Sequence, residues 1–268
     1  MRDIVALFAF IFGSAIGSFL NVIILRLPRG EAVTGRSHCP HCGKDLRPSD
    51  LVPLASYLVL RGRCRFCGAS ISSRYFIIET LTGLLFMVVT LWFFPGNPAE
   101  AVVLGKALLF AAVLVVVFIV DFEHYIILDS VLLTGGVGVL IANVALLVLS
   151  RGPVLSWENP IFAAIAGGLV CALPFFLIWK VSRGRWMGFG DVKLAMFLGW
   201  ALGWQVGLTA LLLAVFLGGI AGLILLAFTA KTLKSRVPFG TFLSIGALGA
   251  LFFGQQLLTW YLSLIGLR

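Results

Sequence analysis

Long apolar runs separated by short polar breaks fill most of the chain, and a run of about 20 apolar residues is what one helical bilayer crossing requires. By that measure the first spans are residues 4–25, 76–94, 101–120 and 131–149. Further spans follow at 161–179, 192–204, 206–230 and 240–266, with the faintest break at Gly203-Trp204-Gln205. The pattern predicts an all-α, polytopic membrane protein of about eight transmembrane helices. One sizeable polar insertion interrupts it, from Arg26 to Arg74. The chain accordingly divides into a first transmembrane helix at 1–25, a cysteine-rich loop at 26–75 and a transmembrane helical core at 76–268.

The first span has an alternative reading as a signal peptide, but its positive charge follows the apolar run and no convincing cleavage site precedes that charge. It is expected to stay as a membrane anchor. Gly13 and Gly17, four residues apart, share a face that another helix can approach closely, which ordinary helix packing explains.

Composition agrees with this class. Hydrophobic residues make up 60% of the 268 and charged residues 12%, and mean hydropathy is +1.09. An ordinary soluble domain carries roughly 25% charged residues. The formal charge of +9 raises the question of a nucleic-acid partner. Its distribution argues against one: nine of the 20 basic residues lie in the Arg26–Arg74 insertion, and most others cluster at 180–193 and 231–236. With eight spans, 16 of the 20 fall on one side, which the positive-inside rule makes cytoplasmic. The same topology puts the ends of the third span and the start of the sixth on that side, with the termini and the 95–100 and 150–160 breaks opposite.

The insertion contains Cys39-Pro-His-Cys42 and Cys64-Arg-Phe-Cys67, two pairs separated by 21 residues. Each pair suits a tight knuckle that aims two thiolates at one ion, and four thiolates complete a tetrahedral zinc shell. A closed shell leaves no position for water, so zinc here would fold the loop and not perform chemistry. Two disulfides are the alternative, disfavoured in a reducing compartment. His38 and His41 adjoin the first pair without being needed as ligands, and Cys171 lies in an apolar run as a buried core residue.

Few acids accompany the spans. Glu79 lies near the start of the second, where an interfacial position accounts for it better than chemistry. Asp129 and Ser130 stand where a helix N-cap belongs. Asp121 has no such explanation: it follows the apolar run 107–120, and a carboxylate at a helix C-terminus opposes the macrodipole. Asp191 follows Gly188-Phe189-Gly190, and a glycine turn capping a helix explains it when considered alone. Two aspartates at one membrane face, however, can share one proton, so that one activates water and the other protonates the departing group. Peptide-bond hydrolysis suits such a pair. A proton-coupled transporter would want its acids near the midplane. A membrane zinc protease would want H-E-x-x-H, which does not occur. A non-catalytic assembly scaffold would tolerate loss of both aspartates.

Several segments together carry a family resemblance: Gly17-Ser-Phe-Leu-Asn-Val, Arg26-Leu-Pro, the paired C-x-x-C loop, Leu60-Arg-Gly-Arg-Cys-Arg, Ile71-Ser-Ser-Arg-Tyr, the Asp121 segment, Gly188-Phe-Gly-Asp191 and Pro238-Phe-Gly240. Over nearly its whole length the chain resembles the prepilin leader peptidase/N-methyltransferases, bifunctional membrane aspartic proteases of type IV pilus and type II secretion systems. The resemblance implies catalysis by Asp121 and Asp191, support from the Gly188 and Gly190 turn, and metal binding by Cys39, Cys42, Cys64 and Cys67. It implies prepilin and pseudopilin substrates, held in membrane lipid and relieved of a basic leader at the cytoplasmic face of a bacterial inner membrane. It further implies methylation of the new N-terminal residue from S-adenosylmethionine, with no donor-binding residue assigned. Two departures stand out. Ile127-Leu128-Asp129 replaces the usual Leu-Pro-Asp, and Thr241 stands where a second proline often follows Pro-Phe-Gly, a change expected to matter little for chemistry.

Overall fold

The structure, a computed structural model, describes residues 2–150, 159–228 and 238–266. Most of the expected 150–160 break, with Arg151, and the basic cluster at 231–236, with Lys231, Lys234 and Arg236, lie outside the described residues, as does Arg268. The chain forms two compact units, Met1–Phe94 and Pro95–Arg268, so the cut falls one helix later than the sequence boundary at residue 75.

The first unit contains α1 (Arg2–Arg26), the short α2 (Ala55–Val59) and α3 (Arg74–Trp92). The two long helices pack on each other through the glycine face seen in the sequence. A Cβ added at Gly13 would lie 2.6 Å from Phe86 Cβ, and one at Gly17 would lie 2.9 Å from Glu79 Cα. At its C-terminal end α1 organises the loop that follows: the Arg26 guanidinium donates to the carbonyls of Thr34 at 3.0 Å and Arg36 at 3.2 Å. Glu79 is buried, and its Oε2 accepts the Leu54 N–H at 2.8 Å. Leu54 has a left-handed φ of 60°, so this bond holds a strained turn of the loop against α3.

The second unit contains α4 (Pro98–His124), α5 (Asp129–Ser150), α6 (Pro160–Ser182), α7 (Phe189–Phe228) and α8 (Phe239–Leu264). Asn-Pro pairs start two of these helices: Asn97 accepts the Glu100 N–H at 2.9 Å, and Asn159 accepts from Ile161 at 3.0 Å and Phe162 at 3.2 Å. Proline directly after each cap fits because the first helical turn has no use for its missing N–H. α4 packs against α5 and α8, and α7 against α6 and α8, around a core that includes Phe110, Leu114, Phe197 and Leu243.

Seven helices among the described residues are long and apolar enough to cross a membrane, against about eight expected. The difference lies in α7. Its helix is broken at Gly203, where φ is 77° and ψ is 174°, inside the faint break read from the sequence. A Cβ built on Gly207 would sit 3.4 Å from the Cα of Gly199, although eight residues of straight helix span about 12 Å. The chain therefore doubles back at Gly203, and α7 is two limbs. The first, 189–202, is about 20 Å long at 1.5 Å per residue, shorter than the ~30 Å hydrocarbon core of a bilayer.

Ending a helix within apolar surroundings leaves backbone carbonyls without partners. Asn143 of α5, itself 2% exposed, donates from Nδ2 to the Trp200 carbonyl at 3.4 Å, near the end of this limb. Lys106 of α4 in turn donates from Nζ to Asn143 Oδ1 at 3.1 Å. The lysine thus has a polar partner and faces the negative end of a short helix. Outward surfaces are apolar, with Phe8 67% and Leu223 69% exposed, as lipid contact requires. The chain is a multi-pass membrane protein. Replacing Asn143→Leu strands both the lysine and the carbonyl and is expected to lower stability by about 1–3 kcal/mol. Lys106→Met, which removes the charge as well, should cost less. Thermal midpoints in detergent check the order, and an Asn143→Leu protein as stable as wild type would contradict it.

Candidate active site and candidate metal centre

The loop of the first unit brings its four cysteines into one cluster. Their Sγ atoms all lie within 4.8 Å of one another, and Cys39 and Cys67 are 3.9 Å apart. Tetrahedral bonds of about 2.3 Å would place sulfurs roughly 3.8 Å apart, so the cluster fits one ion with little contraction. Two matching knuckles produce it. Cys39 donates its N–H to Lys44 O and accepts from Gly43, while Cys64 donates to Ala69 O and accepts from Gly68. Gly43 and Gly68 have φ of 69° and 71°, a left-handed turn that glycine supplies without steric cost. None of the four is in a disulfide in this structure.

The N–H groups of Cys42 and His41 draw the Cys39 thiol down to about 6. Cys67, although the Ala69 N–H favours its thiolate, is pushed up to about 11 by desolvation and by the other three sulfurs. Four thiolates this close repel one another, and a cation removes the conflict. Arg65, between the second pair of cysteines, donates from Nε to Asp50 Oδ1 at 2.7 Å, and the Arg47 N–H reaches Oδ2 at 3.3 Å. Burial opposes the Asp50 charge, yet Arg65 and Arg47 hold its carboxyl below the usual carboxylate range. This ion pair ties the second knuckle to the Pro48–Asp50 turn. His38 joins Asp45 in an isolated bridge and stands outside the cluster.

In the second unit Asp121 and Asp191 line one cleft of about 270 Å³, with Tyr125, Ile126, Ile127, Asp129 and Gly190. Asp121 occupies the last turn of α4 and is 5% exposed. Tyr125 closes that helix with a left-handed φ of 56°, its N–H bonded to the Asp121 carbonyl at 2.9 Å. The electrostatic difficulty of an acid at a helix C-terminus is resolved by a second helix. The Asp121 carboxylate lies on the N-terminus of α8, where Oδ2 accepts the Thr241 N–H at 2.8 Å and faces the Thr241 hydroxyl at 3.3 Å. Unpaired N–H groups and the positive end of the α8 dipole both favour an anion there. Gly240 permits the approach, since a Cβ at that position would sit 3.0 Å from Asp121 Cγ and Oδ2.

Asp191 lies in the first turn of α7. Gly190 lets this turn press on the α4–α5 connection, with room for a Cβ only 3.1 Å from that of Ile127. Gly188 adjoins the Asp191 carboxylate but is not part of the cleft lining. On the rim, Lys193 Nζ meets Asp129 Oδ2 at 2.6 Å and lies 5.4 Å from the centre of the Phe189 ring. Asp129 thus begins α5 while pairing with α7. Leu128 in place of proline leaves that helix start intact. A groove near the other end of α8, lined by Gln255, Gln256, Thr259, Trp260 and Ser263, contains no acid.

Sequence reasoning missed Thr241, which was expected to matter little and instead touches the Asp121 carboxylate with two donors. Its signal was the Pro238-Phe-Gly240 segment, noticed without a role. The Asp129–Lys193 pair was also missed, although Lys193 lies two residues beyond Asp191.

Residues 11–93 match the bacterial peptidase A24 N-terminal domain, and residues 108–223 match the type IV leader peptidase family. The chain is 33% identical over 282 residues to a prepilin leader peptidase/N-methyltransferase of Aeromonas salmonicida, covering 96% of this chain and 93% of the relative. Proteins of the same name are 34% identical in Aeromonas hydrophila, covering 95% and 92%, and 33% identical in Pseudomonas aeruginosa, covering 96% and 93%. No solved structure matches.

The cysteine cluster predicts about one equivalent of a thiophilic divalent metal in protein purified without chelator. Cys39→Ser and Cys64→Ser, at the two buried positions, should each lose most of it, as elemental analysis would show. Full metal content in both variants would contradict a four-cysteine site.

Proposed function

Since the chain belongs to the type IV leader peptidase family, we infer that it removes the leader from prepilins and pseudopilins with Asp121 and Asp191 as its catalytic carboxylates. The supporting observation is the shared cleft that both acids line, whose third carboxylate, Asp129, is paired with Lys193. In the reaction an ionised carboxylate takes a proton from water as its oxygen attacks the scissile carbonyl. The second carboxyl, protonated, donates a hydrogen bond to the carbonyl oxygen. Collapse of the tetrahedral intermediate breaks the C–N bond as a proton passes to the departing nitrogen. Tyr125 and Ile126, 47% and 42% exposed, offer an apolar edge against which a membrane-held substrate helix can lie.

In this reading the four cysteines hold zinc, whose closed shell stabilises the loop and takes no part in hydrolysis. The bacterial relatives support a bacterial inner membrane, and the distribution of basic residues supports the cysteine loop and the aspartates on its cytoplasmic side, with lipid surrounding the spans. The second activity is N-methylation, for which S-adenosylmethionine supplies a methyl group to the new N-terminal amine. We assign no residue to the methyl donor. Neither a proton-coupled transporter nor a non-catalytic scaffold finds support in the relatives.

Intact mass of a model prepilin, incubated with membranes containing the protein and S-adenosylmethionine, tests both reactions. Wild type is expected to remove the leader and add one methyl group. Asp121→Asn and Asp191→Asn should each reduce cleavage by at least ~10³-fold, on the scale of losing one member of a concerted catalytic set. Undiminished cleavage by either variant contradicts the aspartate assignment.

A further inference from the structure

The two carboxylates of the cleft are unequally supplied with donors. Asp121 Oδ2 receives the Thr241 N–H and faces the Thr241 hydroxyl, with the Gly240 N–H beside it. Among the described residues, the one donor beside the Asp191 carboxylate is the Gly188 backbone N–H. We propose that Thr241 is a positioning residue that keeps Asp121 as the ionised member of the pair, the one that takes the proton from water, and leaves Asp191 to carry the shared proton.

Hydrogen bonds from N–H and O–H groups favour the charged form of a carboxylate, and bonds to a charged acceptor are about twice as strong as neutral ones. The backbone donor is fixed by the α8 helix. The hydroxyl is adaptable, because its oxygen also lies 3.4 Å from the Phe118 carbonyl. While Asp121 is ionised the hydroxyl donates to Oδ2. Once Asp121 has accepted the proton from water, the hydroxyl can rotate, donate to Phe118 O and accept from the new carboxylic O–H. One side chain thereby satisfies Asp121 before and after proton transfer, without any other group moving.

Among the described residues, no other charge near Asp121 performs this task. On α4, Glu123 and His124 lie 3.9 Å apart in the exposed end of the helix. Tyr125 borders the cleft, and Asp129 of α5 is occupied by Lys193 of α7. Asp191 is the remaining acid in the cleft, and α8 has no charged side chain between Pro238 and Gly266. The local bias between the two acids therefore depends on donors, and Thr241 supplies the only side-chain donor that reaches Asp121 among the described residues.

The inference rests on the aspartate reading above, and the test separates the two. Prepilin cleavage is followed across pH in membranes for wild type and for Thr241→Ser, Thr241→Val and Thr241→Ala, with Asp121→Asn and Asp191→Asn as controls. Threonine and valine differ at this position by one hydroxyl, and so do serine and alanine, so the comparison survives if one apolar variant folds poorly. Both hydroxyl-free variants are expected to lose kcat roughly tenfold with little change in KM. The acid limb of their pH profiles should move to higher pH by about one unit, while Thr241→Ser keeps the wild-type profile. Unshifted limbs in valine and alanine, or a serine variant that behaves as they do, overturn the role of Thr241. Cleavage that survives the two aspartate controls overturns the aspartate reading and this proposal with it.

Discussion

A carboxylate at the C-terminal end of one helix, held on the N-terminus of another, is the arrangement on which the proposed chemistry depends. Asp121 ends α4, where the helix dipole disfavours its charge, and α8 supplies the compensating N–H groups. Several local features follow from that single contact. Gly240 must be bare for the helix end to come close enough, and Thr241, where a second proline often stands in the family, adds its N–H and hydroxyl to the contact. Asp191 approaches from a third helix whose glycine turn packs on Ile127, which completes the cleft.

The break at Gly203 belongs to the same design. A first α7 limb of only about 20 Å presents Asp191 at one end and must stop within the apolar layer at the other. Asn143 makes that stop tolerable by donating to the Trp200 carbonyl, and Lys106 in turn donates to the Asn143 side chain. A short, doubly anchored limb fixes the depth of its first residue more firmly than a long helix free to tilt, which suits a residue that must meet a partner carboxylate. The cysteine cluster, which could hold a metal ion, would address a separate problem in the other unit, where few apolar residues between Arg26 and Arg74 are buried.

Much of this was legible in the chain because lipid imposes simple rules. Apolar length revealed the spans, paired C-x-x-C spacing revealed the cluster, and two acids at span ends identified the residues that share the cleft. Contacts between distant segments were not legible. Thr241 lies 120 residues beyond Asp121, and no local pattern announces that its N–H points there. Glu79 looked like an interfacial acid, and its partner is a backbone N–H in a strained turn 25 residues earlier. Lys106 and Asn143 had no visible reason to pair until Gly203 showed where a helix ends. Gly203 itself was weak in the sequence because tryptophan and glutamine follow it, and hydropathy barely falls.

The dependence of kcat/KM on pH for prepilin cleavage by the wild-type protein tests the paired-carboxylate mechanism most directly. Two coupled acids, one needed ionised and one protonated, give a bell-shaped profile with both limbs set by the pair. A profile that only rises with pH to a plateau, as one base acting alone would give, contradicts the mechanism.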